Sequence, residues 1–510
     1  MVERVPGTGG ADAVRAFALS LGVLLGFVGT LAAALVVRLV RPSRLDRALC
    51  ARAAAAAAIA QTQPRRVRPS TVLPDGFLAC GAVRLDPARP LGTVAPGAEL
   101  FGGKLEDGRA VTVKRVCKRV RGAAAAHDAA FLVQTECLCR AAVTVYALEE
   151  DLVAYFFAIT PCRETLAAWI QRRAKVVADA GEVEEEKENG DDKGGNEENK
   201  RRVPVVVTAE LSHLMLGIAK GIQWLHQHGL VHGDLSPEKI VIDQCGNPRI
   251  CDFGFVSQQQ QQEAPSDSQL PPLQPPKSNN NAPRTPGWVT PEVLRNGEDA
   301  VSCAADAFAL GCLFQCMATG QHPFGYTAAE RDAHVAAFAP DFAPLSTAPL
   351  LLHLVQMLVR RDPAQRALVD DAVGHIFFWP LKKRIDFVCT VFERLDSEPP
   401  TALVRRQMEE YLGRLPELRA WQHRVDPCLF GDSTNRRVVA YETRSDVLRL
   451  IRNKARHFHD LDPREKGLLV SFPEGFFRYF DDRFPALFVC VFEFICHTLS
   501  HEPCFNGIYF

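Results

Sequence analysis

The sequence predicts an α+β protein with a β-rich and helical body, an all-α C-terminal domain and one membrane-spanning helix in front. Three observations carry this prediction. Residues 16–37 form a run of 22 residues without a charge, which is long enough to cross the hydrocarbon core as a helix. From Leu91 onward, apolar residues alternate and turn signals intervene, as is typical of strands. Beyond residue 379, apolar residues recur at helical spacing.

Length and composition bound the possible classes of protein. The 510 residues are 47% hydrophobic and 23% charged, which indicates two or three globular domains with real cores. The formal net charge is −1, so any surface that binds nucleic acid must be local. Seven Lys or Arg residues between Arg436 and Arg456, against two acidic residues, form such a local excess. The 16 cysteines lack a CxxC pair or finger-like spacing, which favours reduced thiols over disulfides or a zinc site.

The charges that flank residues 16–37 predict how this segment crosses a membrane. Two arginines precede the run and eight follow it within the next 31 residues. The positive-inside bias therefore places the C-terminal part in the cytosol and leaves residues 1–15 as a short lumenal N-terminus. A cleaved signal peptide or a buried helix are the alternatives, but the run is long and leads into a basic stop. Residues 38–85 are expected to be a basic, alanine-rich juxtamembrane linker.

The middle of the chain carries a succession of short motifs. A β-rich stretch turns at residues 107–108 and ends in a strand that carries Lys114; VHGDLSPEKIVI, ICDFGF, GWVTPE, DAFALGCLF and HPFG follow in order. Each pattern is weak alone, but their order and spacing resemble the catalytic loop, metal-binding loop, segment end and large-lobe helix of a protein kinase. The resemblance predicts a bilobal protein-kinase-like domain over residues 86–378.

That resemblance implies a nucleotide site for ATP or ADP with magnesium. Lys114 would pair with phosphates, Asp252 would hold the metal ion, and Asp234 would orient a substrate hydroxyl. The ion-pair partner of Lys114 is expected at Glu136, with Gln134 as the rival register. The residues assigned to nucleotide binding are Gly92, Gly97, Lys114, Glu136, the hinge from Ile159 to Cys162, and Asp252.

Several positions depart from the kinase pattern. Val94 replaces a loop glycine, Gly233 the catalytic-loop arginine and Ser236 the lysine. Lys239 stands where an asparagine would hold a second magnesium, and an ammonium there repels a divalent cation. Phosphoryl transfer should therefore be crippled, with Asp234 left as a vestigial catalytic residue. An active kinase, a nucleotide-responsive pseudokinase and an inert scaffold remain as alternatives. Acidic residues 179–200 and Gln/Pro-rich residues 257–283 are expected to be disordered insertions.

The tail contains one strongly basic helical stretch, residues 444–460, RSDVLRLIRNKARHFHD. Its spacing predicts a helix that buries Val447, Ile451, Ala455 and Phe458. The opposite face would carry Arg449, Arg452, Asn453, Arg456 and His457. Such a face suits a phosphodiester, because arginine binds phosphate oxygens and imidazole can protonate a leaving oxygen. A solvated basic face is the alternative. Other tail helices are expected at residues 380–395, 401–412 and 473–497.

The succession RSDVLRLIRNKARHFHDL and FPEGFFRYFDDRFP, fused directly to the kinase-like body, resembles the inositol-requiring kinase/endoribonuclease family of the unfolded protein response and its relative RNase L. The resemblance implies a KEN-type ribonuclease domain over residues 379–510 that cleaves RNA to 2′,3′-cyclic phosphate ends without a metal cofactor. It assigns catalysis to Tyr441, Arg452, Asn453 and His457. The connection from Tyr441 to the helix is shorter than the family's.

The same resemblance implies partners and a location. RNA would be the substrate, and the chain would act as a homodimer or higher oligomer, or as a heterodimer with a full-length relative. It would reside in the endoplasmic reticulum membrane as a single-pass protein with cytosolic C-terminal domains. With few residues before the span, it is expected to be a sensor-less, kinase-degenerate member. The alternatives are a non-catalytic regulatory partner of a full-length relative and a residual Ser/Thr protein kinase.

Overall fold

The computed structural model describes residues 69–95, 97–121, 142–176, 205–251, 257–258, 285–399, 401–431 and 441–510. The predicted span at 16–37, the insertion at 179–200, and Gln134, Glu136 and Asp252 lie outside the described residues. Among the helices of the described ranges, none is both long and apolar enough to cross a membrane. The described ranges all belong to one compact unit, Pro64–Phe510.

A seven-stranded antiparallel sheet forms the small lobe, in the order β1-β2-β3-β4-β5-β7-β6. Its strands are β1 Thr71–Val72, β2 Leu78–Cys80, β3 Val83–Ala95, β4 Ala98–Leu105, β5 Ala110–Cys117, β6 Val145–Glu150 and β7 Ala154–Ile159, with the short helix α1 at Lys118–Arg121. The sheet thus begins at Thr71, so the linker predicted to reach residue 85 is too long. The added strands β1 and β2 pair with each other and with β3, which extends the edge of the sheet.

Alternation of apolar residues builds the core of this sheet. Val111 and Val113 on β5 pack with Phe156 and Ala158 on β7, and all four side chains are buried. The β4–β5 hairpin turns at Gly108, whose φ of 84° favours a residue without a Cβ. The turn predicted at residues 107–108 is therefore confirmed, and the strand that follows carries Lys114 at the register of Leu100 and Phe157.

The large lobe is mostly helical, with small sheets at its upper edge. Strand β10 pairs with β8 and β11, and β12 pairs with β9. Part of the insertion predicted to be disordered, Ser257–Gln258, is strand β12, while residues 259–283 lie outside the described part. The elements are β8 Cys162–Thr165, helical residues 166–176, α2 Ala209–Gln227, β9 Leu230–Val231, β10 Ile240–Asp243, β11 Pro248–Ile250, β12 Ser257–Gln258, α3 Pro291–Asn296, α4 Cys303–Thr319, α5 Ala328–Ala337, α6 Pro349–Leu358 and α7 Val369–Gly374.

A buried ion pair fixes the lower half of this lobe. The Arg366 guanidinium donates to both carboxylate oxygens of Glu292, at 2.6 and 2.7 Å, and also to the carbonyl of Ala304 at 3.0 Å. Bidentate geometry satisfies both partners inside the protein, which is the condition for a buried pair to be tolerated. The pair joins the start of α3 to the segment after α6.

The described residues of the C-terminal tail form six α-helices. They are α8 Leu381–Asp396, α9 Leu403–Leu412, α10 Asp446–Arg456, α11 Pro463–Leu469, α12 Glu474–Arg483 and α13 Leu487–Thr498. The helices predicted at 380–395 and 401–412 are confirmed to within a few residues. The prediction of one helix over 473–497 is wrong. Pro485 cannot continue a helix, so the segment forms two helices, α12 and α13. Helix α8 packs against α10 and α13.

Two histidines, the half-buried His353 and the buried His375, lie where the large lobe meets the tail. His353 Nδ1 and His375 Nε2 are 2.9 Å apart, and both rings contact Phe492 of α13. The backbone N–H of Phe377 donates to His375 Nδ1, so Nε2 of His375 carries the proton that it shares with His353. Burial lowers the pKa of both histidines, and for His375 the nearby cations lower it further.

This neutral pair predicts a measurable dependence of stability on pH. A histidine whose folded pKa lies below its unfolded value contributes stability that is present above about pH 6.5 and is lost as the pH falls. Each unit of depression corresponds to about 1.4 kcal/mol. We expect acidification from about pH 6.5 to about pH 5 to lower the melting midpoint of the full-length chain more than that of His375→Gln. Comparing parent and variant cancels other groups, such as Asp481, whose pKa burial raises to about 6. Equal slopes would contradict the prediction.

Candidate functional sites

The loop that contains Asp234 is held from below by a buried carboxylate of α4. Asp306 accepts hydrogen bonds from the backbone N–H groups of His232 and Gly233, both at 2.8 Å. It also pairs with His226 Nε2 at 2.9 Å. Burial opposes protonation of His226, but the hydrogen bond and charge of Asp306 overcome it and raise the pKa of His226 to about 9. Burial likewise opposes ionisation of Asp306, yet its pKa is lowered by these partners. The loop is therefore rigidly anchored.

The carboxylate of Asp234 is fully engaged. Its Oδ2 pairs with the ammonium of Lys239 and accepts from the hydroxyl of Thr285 at 3.2 Å, while Oδ1 accepts from the Thr285 backbone N–H at 2.9 Å. Asp234 is 4% exposed and Lys239 is 1% exposed. Ion pairing and hydrogen bonding stabilise the ionised form of this buried carboxylate, which makes it a poor acceptor for the proton of a substrate hydroxyl. The orienting role that the kinase resemblance implies for Asp234 therefore does not fit this geometry, and Lys239 lies in place of a metal ligand.

The two ends of the predicted hinge are buried, and its last residue is hydrogen-bonded within the protein. Ile159 ends strand β7 opposite Thr112 of β5, and it is 1% exposed. The backbone N–H of Cys162 donates to the Thr112 hydroxyl at 2.8 Å, with both residues buried. Burial also raises the pKa of the Cys162 thiol to about 12, so this thiol is not a nucleophile. A backbone donor that would meet a purine ring is thus already satisfied.

The predicted phosphate-binding glycines have the conformations that require glycine, with φ of 140° at Gly92 and 73° at Gly97. A Cβ at Gly92 would lie 3.0 Å from the methyl group of Thr165. Strand β3, which carries Gly92, contacts both β8 and the 3-10 turn Pro237–Lys239. The Lys114 ammonium is buried, 5.8 Å from the ring centroid of Phe157. The glycine strand therefore lies directly on the catalytic loop and hinge.

These contacts do not fit the predicted ATP or ADP with magnesium. A second magnesium would need an oxygen ligand where the Lys239 ammonium lies. A purine base would need the backbone N–H of Cys162, which already donates to the Thr112 hydroxyl. Lys114 lies on the predicted strand, but its proposed partner Glu136 and the proposed metal ligand Asp252 lie outside the described residues. In the described part of the nucleotide site, the hinge N–H and the catalytic-loop carboxylate therefore already have partners within the protein.

In the tail, the basic stretch folds as helix α10, whose start is held by carboxylates. Glu409 of α9 accepts from the backbone N–H groups of Arg444 and Ser445, at 3.1 and 2.7 Å. Asp446 accepts from the N–H groups of residues 442 and 443 at 2.8 Å. Acidic groups at this end are favoured by the helix dipole. Helix α10 ends at Arg456, because His457 has φ −111° and ψ 25°.

The buried face of α10 differs in part from the predicted one. Val447 and Ile451 are buried as predicted, together with Leu448 and Leu450. Ala455 and Phe458 are only half-buried, because the helix ends before Phe458 and the core side continues instead through Lys454. The prediction that His457 lies within the helix is likewise wrong: its backbone N–H closes the last turn on the carbonyl of Asn453, at 3.2 Å.

Arg452 and Asn453 meet on the open face of α10. The Arg452 guanidinium donates to the Asn453 side-chain carbonyl at 3.0 Å and to Glu393 of α8 at 3.4 Å. Arg456 donates to the same Glu393 carboxylate at 3.2 and 3.3 Å. These long contacts join partly exposed groups, so the arrangement presents two guanidinium groups and an amide to solvent. It suits an anion that competes with Glu393.

His457 lies at the solvent-facing end of this group. Its side chain is 65% exposed, and Nδ1 lies 3.7 Å from a carboxylate oxygen of Asp460. The ring is therefore accessible to a ligand that contacts Arg452 and Asn453, which are five and four residues earlier in the chain. An imidazole in the open can exchange protons with solvent between turnovers, as an acid catalyst requires.

Tyr441 lies apart from the helix, at the end of residues 432–440, which are outside the described part. Its ring packs against Trp421 and Phe430, with centroids 6.0 and 5.4 Å away. Its backbone carbonyl accepts from the Gln422 amide at 2.8 Å. The structure thus brings Arg452 and Asn453 into contact, places an exposed His457 at the end of the same segment, and fixes Tyr441 through a separate aromatic contact.

Sequence reasoning missed Glu393 and a buried ion pair beneath the site. The Lys454 ammonium donates to Glu465 of α11 at 2.5 Å and to the carbonyl of Gly431 at 2.9 Å. One signal was available: Lys454 follows Val447 and Ile451 at spacings of seven and three, which places it on the core face. Glu393 carries no such signal, because it comes from a different helix.

Comparison with known proteins agrees with this architecture. A protein kinase domain description matches residues 188–378, and a ribonuclease 2-5A description matches residues 384–509. The fold and the two matches define a kinase-fold domain joined to a ribonuclease-type domain. Kinase domains in general bind nucleotide and magnesium. The chain belongs to the inositol-requiring kinase/endoribonuclease family.

Three relatives illustrate the similarity. The probable serine/threonine-protein kinase ireA of Dictyostelium discoideum is 27% identical over 445 residues, covering 86% of this chain and 43% of the relative. The kinase/endoribonuclease IRE1 of Oryza sativa subsp. japonica is 28% identical over 427 residues, covering 82% and 44%. IRE1b of Arabidopsis thaliana is 31% identical over 306 residues, covering 58% and 33%. The chain thus spans less than half the length of these curated relatives.

Proposed function

We propose that the chain is a membrane-anchored endoribonuclease that cleaves RNA to 2′,3′-cyclic phosphate ends in RNA processing of the unfolded-protein-response type. The observation that carries the proposal is the open group on α10, in which the Arg452 guanidinium and the Asn453 amide touch and the His457 ring is 65% exposed. Phosphodiester cleavage needs groups that stabilise charge on the phosphoryl oxygens and a group that protonates the leaving oxygen, and Arg452, Asn453 and His457 can fill these roles.

The reaction follows from the chemistry of these groups. The 2′-oxygen of the ribose attacks phosphorus as Tyr441, hydrogen-bonded to the 2′-hydroxyl, relays the hydroxyl proton to solvent water. A bond forms between the 2′-oxygen and phosphorus, the bond to the 5′-oxygen breaks, and His457 gives its proton to that departing oxygen. Arg452 and Asn453 stabilise the charge that develops on the phosphoryl oxygens. Protein groups thus meet the charge and move both protons, so the scheme needs no metal cofactor.

Before RNA binds, the Glu393 carboxylate is paired with the guanidinium groups of Arg452 and Arg456. Its pairs with Arg452 and Arg456 are 3.1–3.4 Å long and join groups that are each 35–44% exposed. Ion pairs of this kind contribute about 0–1 kcal/mol. A phosphate can therefore replace the Glu393 carboxylate at little cost, and the two guanidinium groups are available to hold it.

The kinase-like body serves assembly in this proposal. Two chains would pair through their kinase-like bodies and bring two ribonuclease domains together, as a homodimer or with a full-length relative. The engaged state of Asp234 supports an inactive kinase, which disfavours the alternative of a residual Ser/Thr protein kinase. Anchoring by residues 16–37 in the endoplasmic reticulum membrane, with the C-terminal domains in the cytosol, belongs to the same proposal. The remaining alternative is a regulatory partner that does not cleave.

Cleavage of a stem-loop RNA by the purified full-length chain in EDTA tests the proposal. We expect cleavage that depends on protein concentration and persists without divalent cations, and no phosphate transfer from radiolabelled ATP in a parallel reaction with magnesium. Intact RNA, even when the chains are forcibly dimerised, would leave the regulatory-partner alternative. Vigorous phosphate transfer would contradict the account of Asp234 and Lys239.

A further inference from the structure

The cleft between the small and large lobes is the region where the family resemblance and the geometry disagree. We infer that the chain's own side chains fill the roles of the nucleotide and its metal in this cleft, so that the kinase-like body stays in its working form without a nucleotide. This goes beyond the proposed endoribonuclease function, which is compatible with either a nucleotide-bound or a nucleotide-free body. Three separate contacts carry the inference.

The first contact replaces the metal. A divalent cation in such a cleft neutralises the catalytic-loop carboxylate and joins it to the phosphates. Here the Lys239 ammonium neutralises Asp234 directly, and both groups are buried. Thr285 supplies two further hydrogen bonds to the same carboxylate. The charge of Asp234 is therefore neutralised within the protein, both of its oxygens already have partners, and the Lys239 ammonium would repel a second cation.

The second contact replaces the base. Adenine binding to a hinge depends on a backbone N–H that is free to donate to a ring nitrogen. The N–H of Cys162 donates instead to the Thr112 hydroxyl at 2.8 Å, across from the end of β7. Thr112 is 1% exposed, so its side chain lies inside the lobe contact rather than at its rim. A base would have to break a buried hydrogen bond and displace this side chain.

The third contact closes the space above the catalytic loop. Strand β3 packs on the turn Pro237–Lys239 and on β8, which joins the two lobes directly. At Gly92 the backbone lies so close to Thr165 that an added Cβ would be 3.0 Å from its methyl group. Phosphates would need to separate these surfaces. In their place, the glycine strand, hinge and catalytic loop form one continuous contact.

The consequence concerns control of the ribonuclease. In a kinase-like body whose lobe arrangement depends on a bound nucleotide, nucleotide binding shifts the population of the dimeric form. A ligand that does not bind shifts nothing. The ribonuclease of this chain is therefore controlled by the local concentration of chains in its membrane and not by the supply of nucleotide.

The test uses the full-length chain with ADP as the probe, once with magnesium and once with EDTA. Binding is followed by isothermal titration calorimetry and by the melting midpoint, since any ligand that binds only the folded state raises that midpoint. We expect no saturable heat and no shift at millimolar ADP in either condition, and RNA cleavage rates that are the same with and without ADP. Saturable binding, or cleavage stimulated by ADP, overturns the inference.

Variants test the residues named. Thr112→Ala combined with Lys239→Asn frees the hinge N–H and restores an oxygen donor, so we expect this variant to gain a magnesium-dependent midpoint shift with ADP. Thr319→Val removes a hydroxyl bonded within α4 at 2.8 Å and serves as the matched control, with no gain. If the double variant does not fold, the binding result for the parent chain still decides. Binding can be read without RNA, so failure of the inference and failure of the proposed ribonuclease function are distinguishable.

Discussion

His457→Ala is expected to lower the rate of RNA cleavage by the full-length chain about 10²- to 10⁴-fold, the range that a positioned general acid contributes. The 5′-oxygen leaves as an alkoxide unless a proton reaches it in the transition state, and His457 is the exposed proton donor beside Arg452 and Asn453. Because its ring is 65% exposed, the variant should keep the melting midpoint of the parent chain. The loss would then be one of chemistry and not of folding.

His459→Ala is the matched control for that experiment. His459 is exposed two residues further on, and its ring contacts Phe458 at a centroid distance of 6.2 Å. We expect this variant to cleave RNA at about the parent rate. If His457→Ala cleaves as fast as His459→Ala, then the proton donor of the proposed mechanism is wrongly assigned.

The buried pair beneath the site should have the largest effect on stability. Lys454→Met removes the ammonium that donates to Glu465 and to the carbonyl of Gly431, and it leaves a carboxylate that is 1% exposed without its cation. Breaking a buried pair from one side costs about 3–5 kcal/mol. For a domain of this size we expect the melting midpoint of the tail to fall by roughly 10 °C. Cleavage should fall with it, since the pair anchors the end of α10.

Lys466→Met is the corresponding control on the surface. The Lys466 ammonium donates to the carbonyl of His459 at 2.7 Å from an exposed position on α11. Removing an exposed contact changes stability by about 0.5 kcal/mol or less. Glu465→Gln combined with Lys454→Met should recover part of the loss, because the uncompensated charge is then gone. A Lys454→Met midpoint equal to that of Lys466→Met would contradict the assignment of a buried ion pair.

The sequence predicted the place of helix α10 and its polar face, because apolar residues at spacings of three and four can be recognised without knowledge of a partner. It could not show that the face is shared with Glu393, which lies 59 residues before Arg452. Lysine is rarely buried, and the core-facing position of Lys454 was not predicted. Only its tertiary partner Glu465 makes the buried position tolerable.

Errors at the ends of elements have local physical causes. Apolar periodicity runs on through residues 473–497, yet Pro485 lacks the N–H that a helix interior needs, and two helices form. Strands β1 and β2 are two and three residues long, which is too short for alternation to be visible. The sheet therefore begins earlier than the linker prediction allowed.

The kinase-like cleft shows a different limit. Replacement of a metal-binding asparagine by Lys239 is evident from the motif alone, and it predicts that a cation is repelled there. The motif does not show where the ammonium goes. The 3-10 turn Pro237–Lys239 brings it onto Asp234, five residues earlier, and the neighbouring Thr285 completes the contact. These placements depend on backbone geometry that residue types alone do not determine.

The most direct measurement of the central claim uses two matched stem-loop RNAs that differ by one oxygen. In one, the nucleotide before the cleavage position carries a 2′-hydroxyl; in the other it is 2′-deoxy. With the full-length chain in EDTA, the account predicts that only the first RNA is cut and that the fragment ends in a 2′,3′-cyclic phosphate. Cleavage of the deoxy RNA at the same position, or a product without a cyclic end, would contradict it.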